Sequence, residues 1–177
     1  AINGNFVVTS PNWGAGVSNI TPLGAVTWGS GTAGVSGSVS SANSVVGAIA
    51  DDQIGLGYSG SPVVALSNGN YAVASAFWNG QMGAVTWVDG TTGRVSDYAV
   101  NSNTNIISST NSLVGGTSGD YVGWKVIALP GNGNYVVGGA TLATTPTATW
   151  VDGSTGRVSD YAANGNTNVV SAANSLV

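Results

Sequence analysis

Self-repetition constrains this chain more than any other feature. The phrase Asn-Gly-Asn-aromatic-x-Val occurs at Asn3 to Val8, Asn68 to Val73 and Asn132 to Val137. A second phrase closes on Thr-Trp, at Thr27-Trp28, Thr86-Trp87 and Thr149-Trp150. A third, Asn-Ser-[Val/Leu]-Val, falls at Asn43 to Val46, Asn111 to Val114 and Asn174 to Val177. A fourth lies only between units, at Pro62 to Leu66 and Lys125 to Leu129. The order never changes. Tandem units this small cannot each bury an apolar face alone, so neighbours must cover one another.

Each phrase is short, rich in β-branched and aromatic residues, and bounded by Gly, Asn, Asp or Ser, which reads as a strand. We label them A (Asn-Gly-Asn-Tyr-x-Val), B (Ala-Val-Thr-Trp), C (Asn-Ser-Leu-Val) and D (Val-x-Ala-Leu). Asn-Gly before strand A, and Asp89-Gly90 and Asp152-Gly153 after strand B, are turn signals. No segment holds a helical period over a useful length. The expected fold is all-β: three tandem four-stranded antiparallel units over 1–67, 68–131 and 132–177. From the strand B Trp to the strand C Asn the first unit takes 15 residues and the other two take 24. That insertion belongs in a loop or an extra hairpin on one face.

Four-stranded units of this kind are propeller-blade-like. Three blades are fewer than closed propellers use, so a β-trefoil, a β-prism or a β-solenoid stays open as an alternative. The last unit is expected to lack its final strand D, with Ala1-Ile2 as the remnant of a preceding one. A missing strand leaves an unpaired edge, filled by another copy or by adjacent repeats.

Charge is scarce: seven Asp, no Glu, Arg94, Arg157 and Lys125, for a net charge of −4. Without clustered cations, nucleic acid is not an expected partner. Membrane insertion is not expected either, since no apolar run approaches the roughly 18 residues that span a bilayer. Histidine and cysteine are absent along with Glu, which removes Ser–His, thiol and His-ligated metal chemistry. Asp51-Asp52 reads as a solvated turn. The chain is expected not to be an enzyme, and no metal or cofactor is expected. Low charge, abundant Ser, Thr, Asn and Gly, and no Cys are common in exported bacterial surface proteins, pointing to an extracellular or cell-surface location.

Trp28, Trp87 and Trp150 share one position and read as core or inter-unit packing. Trp13 and Trp78 follow strand A by a fixed interval, with Leu142 in the third unit, and sit beside loops. They read as inter-unit contacts or as platforms for sugar rings. Asp97-Tyr98 and Asp160-Tyr161, in the inserted stretch, are the other ligand-binding candidates. Asp89/Asp97 with Arg94, and Asp152/Asp160 with Arg157, read as local Asp–Arg pairs fixing the corner. A weak calcium site of Asp and Asn oxygens is the sharper alternative. Asn101, Asn103 and Asn105, and Asn164, Asn166 and Asn168, would share a face if extended.

Asp52-Gln53-Ile54-Gly55, Val63 to Leu66, Asn68 to Ser75 and Gly83 to Trp87 together resemble one FG-GAP repeat of integrin-α-type β-propellers. Gly119 to Gly123 opens a second such match. The phrasing is still more similar to repeats of unknown function in large bacterial haemagglutinin-like surface proteins. The resemblance implies blade-like units. Its calcium loop is not carried over, because Asn68-Gly69-Asn70 and Asn132-Gly133-Asn134 hold no carboxylate. The expected function is a structural or adhesive repeat segment that assembles with further copies into a fibre or array. A carbohydrate-binding module with one site per repeat, taking glycans as partners, is the alternative.

Overall fold

The computed structural model describes residues 4–14, 21–58, 60–142 and 145–177, with the side chains of 140–142 and 145 left aside. Asn3, Ala1-Ile2 and the side chain of Leu142 therefore lie outside the described residues. The strands are β1 (Phe6–Ser10), β2 (Ala25–Gly29), β3 (Ser44–Val46), β4 (Val63–Ala65), β5 (Tyr71–Ser75) and β6 (Ala84–Val88). They continue as β7 (Ser112–Val114), β8 (Lys125–Ala128), β9 (Tyr135–Leu142), β10 (Thr145–Val151) and β11 (Ser175–Leu176). A single helical turn, α1 (Trp78–Gln81), stands at the corner between β5 and β6.

Three antiparallel sheets result, ordered β1-β2-β3, β4-β5-β6-β7 and β8-β9-β10-β11. Phrases A to D thus form strands, as their composition requires. The phase of D differs from expectation. D pairs with the A strand that follows it, Val63 opposite Val73 and Val126 opposite Val137. The last sheet is therefore complete, and the sheet with three described strands is the first. Loop length explains this. Five residues containing Asn68-Gly69 join β4 to β5, a hairpin connection, whereas a long linker separates β3 from β4.

The middle sheet shows how the units cover one another. All five residues of β5 and all five of β6 are buried, because side chains leave both faces of a strand alternately. Tyr71, Val73, Ala84 and Val88 pack in one cluster with Val26 and Val45 of the first sheet. Ala72, Val85 and Trp87 pack in another with Tyr135, Val137 and Val151 of the third. The sheets stack in series. No hydrogen bond joins the first sheet to the third among the described residues, and no barrel closes. Within each sheet a hydroxyl pair crosses from B to C: Thr27–Ser44 and Thr86–Ser112 at 2.8 Å, Thr149–Ser175 at 2.7 Å.

Candidate functional site at the joints between units

The residues that stand out in the sequence converge on the joints. The indole Nε1 of Trp28 donates to the carbonyl of Gly90 at 2.9 Å, and that of Trp87 to Gly153 at 2.7 Å. In each case the Trp belongs to one unit and the glycine to the turn after strand B of the next. The Asn of strand A works on both sides of the joint. Its Oδ1 accepts from the turn of its own unit: Gly31 N to Asn5, Gly90 N to Asn70 and Gly153 N to Asn134. Its Nδ2 donates to the next unit, Asn5 to Gly90 O at 2.9 Å and Asn70 to Gly153 O at 3.2 Å.

The turn must come very close to the Trp. A Cβ on Gly93 would lie 2.5 Å from the Cβ of Trp28, and one on Gly156 equally close to that of Trp87. Both glycines also have positive φ, +70° and +72°, where a side chain is strained. Only glycine meets both demands. Asp89 and Asp152 open these turns and cap them. Partial burial pushes their carboxyls up, but hydrogen bonds outweigh it and leave both below the usual carboxylate range. The bonds come from Thr91 to Asp89, and from Ser154 and Thr155 to Asp152.

The inserted corner is the second half of the joint. It does not form a separate hairpin; it reaches back to the preceding unit. Asn105 donates its N–H to Ser41 O at 2.7 Å, and its carbonyl accepts from Val46 N at 3.1 Å. Asn168 repeats this with Ser109 and Val114, both at 2.8 Å. Short parallel bridges result, Val46 with Ile106 and Val114 with Val169. The amide Oδ1 of each Asn then holds its own corner shut, on Val95 N and Val158 N. The three-amide face expected from an extended chain is absent. Ser102, Asn103 and Asn166 turn through positive φ, leaving Asn103 and Asn166 exposed while Asn105 and Asn168 are buried.

Of the ligand candidates, Tyr98 is buried against the first cluster and its hydroxyl reaches Ala42 O at 3.4 Å. Tyr161 packs against the second cluster and reaches Thr110 O at 3.5 Å. Asp97 accepts from Asn111 Nδ2 at 2.8 Å and Thr110 Oγ1 at 2.7 Å, and Asp160 from Asn174 Nδ2 at 2.8 Å. Asp89 and Arg94, and Asp152 and Arg157, meet through the backbone, the Asp N–H donating to the Arg carbonyl at 3.0 Å in each. No Asp–Arg side-chain ion pair forms at these corners among the described residues. Arg94 instead lies 4.4 Å over the Tyr98 ring, and Arg157 4.3 Å over Tyr161, because the planar guanidinium is drawn to the ring face. Trp78 is half-buried against the first cluster. Trp13 is half-buried too, its carbonyl accepting from Leu23 and Gly24. A groove of about 740 Å³ between the two long corners brings together Asp97, Asn101, Arg157, Tyr161 and Asn166.

Asp52 is no solvated turn residue. It is fully buried, and its carboxylate accepts from Ala48 N, Ile49 N and Asn79 N at 2.8, 3.0 and 2.9 Å. Asp120 repeats the first two contacts with Gly116 and Thr117. The repeated Asp-x-apolar-Gly phrase, Asp52 to Gly55 and Asp120 to Gly123, is the signal that sets Asp52 apart from its exposed neighbour Asp51. An aromatic group was also missed: Tyr58 stacks on Trp124 at 3.7 Å, with Phe77 and Tyr121 around them. Tyr58 and Trp124 occupy non-equivalent positions of the two linkers, so aligning the repeats hides them.

The repeat described in the family Repeat of unknown function (DUF5650) matches twice, over residues 1–56 and 65–124. The chain belongs to that family. No curated protein and no solved structure matches it. The likeness to repeats of unknown function holds at the level of this family, and nothing confirms the FG-GAP resemblance.

Proposed function

We propose that this chain is a non-catalytic structural repeat segment of an exported bacterial surface protein, extending a stalk, fibre or adhesive scaffold by stacking unit on unit. One observation carries the reading: the Trp-to-Gly bond and the Asn corner recur at both joints with the same partners. Nearest-neighbour joints let a stack lengthen without a new core. The uncovered edge of β1 among the described strands offers a place for strand completion by another copy. Surface proteolysis of intact cells, with electron microscopy of the purified segment, tests the reading. Cell-surface exposure and regular extended particles are expected; a strictly cytoplasmic protein would refute it.

A carbohydrate-binding role is the second reading, favoured by the groove that gathers Asp97, Arg157 and Tyr161 between the long corners. Polar groups beside an aromatic suit a sugar. A glycan array decides: binding lost in Arg157→Ala supports the second reading, and silence across the array supports the first.

A further inference from the structure

We propose that the outer face of the third unit, centred on Trp150, docks a second copy of this chain head to tail, on the Ser30–Gly34 turn of that copy's first unit. The inference rests on the structural reading above and names the surface that such assembly would use.

Both halves of this contact are present, and among the described residues neither has a partner. Trp150 stands where Trp28 and Trp87 stand, yet it is 44% exposed while Trp87 is 9% exposed. Its Nε1 has no acceptor among the described residues. Beside it, Leu176 and Val177 are exposed, whereas their counterparts Leu113 and Val114 are buried.

The receiving turn is preformed in the first unit. Gly34 N donates to Ser30 O at 2.7 Å, as Gly93 N does to Asp89 O at 2.8 Å and Gly156 N to Asp152 O at 2.7 Å. Gly34 has φ +73°, against +70° and +72° at Gly93 and Gly156. Gly31 N is held by Asn5 Oδ1, as Gly90 N is by Asn70. One thing differs. A Cβ on Gly34 would meet nothing within 4 Å, where one on Gly93 or Gly156 would strike a Trp. The turn keeps the shape of a Trp-binding turn, with no described residue over Gly34. Trp150 Nε1 and Asn134 Nδ2 of one copy would then donate to Gly31 O of the next.

The contact reproduces part of the internal joint. The first unit's corner is shorter and has no counterpart of Asn105, so the edge of Val177 gains no bridge from it. Association is accordingly reversible and concentration-dependent. Because the two surfaces differ, the contact is heterologous: each copy keeps one free surface of each kind, and copies add head to tail.

Sedimentation equilibrium of the whole chain over a wide concentration range tests this. Average mass is expected to climb past that of a dimer. Trp150→Ala should weaken association by about thirtyfold or more, as for a central interface Trp. Gly34→Asn provides an independent block, since Asn is the side chain that best tolerates this backbone region and its Cβ would fill the Trp space. Each variant alone should stay monomeric. An equimolar mixture should form dimers and nothing larger, because only one productive contact remains. A wild-type chain that stays monomeric would overturn the proposal and leave the stacked-repeat reading standing. Association unchanged in both variants would also overturn it, and would direct attention to the β1 edge.

Discussion

Trp87 and Gly153 meet across the joint between the second and third units, the indole N–H on the glycine carbonyl at 2.7 Å. The bond lies 66 residues apart in sequence and spans two sheets. It satisfies a buried polar atom on a large apolar ring, the condition under which a buried Trp stabilises rather than costs. Trp28 and Gly90 repeat it one unit earlier.

Truncating the covered Trp should therefore cost far more than truncating the open one. Trp87→Ala is expected to lose about 3–5 kcal/mol of stability. Trp150→Ala, measured in dilute solution, should lose about 1 kcal/mol or less. Urea denaturation of both variants beside the parent checks the contrast.

Gly93 and Gly34 allow the joint to be separated from backbone strain. Both hold nearly the same positive φ, but only Gly93 faces a Trp. Gly34→Ala should cost about 1 kcal/mol, the strain alone. Gly93→Ala should cost at least about 1–3 kcal/mol more, because the new methyl overlaps Trp28. Equal losses in thermal or urea melts would count against the close packing.

Tyr71 and Tyr135 bury hydroxyls that have no protein partner, and Phe6 fills the same position in the first unit. Tyr135→Phe should leave stability unchanged or raise it by about 1 kcal/mol. Burial, reinforced by the charge of Asp152 for Tyr135 and of Asp89 for Tyr71, pushes both phenols well above their usual range. The unfolded chain then loses these protons first. Stability should be intact below about pH 10 and fall above it, by up to about 1.4 kcal/mol per pH unit for each tyrosine. Tyr135→Phe should flatten that slope in alkaline melts.

Asp52 ties the linker after the first sheet to the corner carrying Asn79. Asp52→Ala would leave three backbone N–H groups without their acceptor, at a cost of about 2–4 kcal/mol. Amide exchange at Ala48, Ile49 and Asn79 should accelerate in that variant.

The strands were legible in the sequence because period-two patterning and Asn-Gly or Asp-Gly turns act locally. The phase of D was legible as well, in the short Asn68-Gly69 connection, but grouping phrases by repeat order concealed it. The joints were not legible. Trp28 and Gly90 are far apart in the chain, and only stacking of the sheets brings the third residue after one strand B Trp under the previous one. The inserted corner likewise reads as a loop, since its partners, Ser41 and Val46, belong to another unit. Arg94 chose the face of Tyr98 over a carboxylate, a competition that spacing cannot rank.

Hydrogen exchange of the tryptophan indole N–H groups, followed by NMR in dilute solution, probes the interlocking of neighbouring units most directly. The Trp28 and Trp87 protons should be strongly protected and that of Trp150 should exchange freely. Equal, rapid exchange at Trp87 and Trp150 would contradict a chain whose units hold together through these joints.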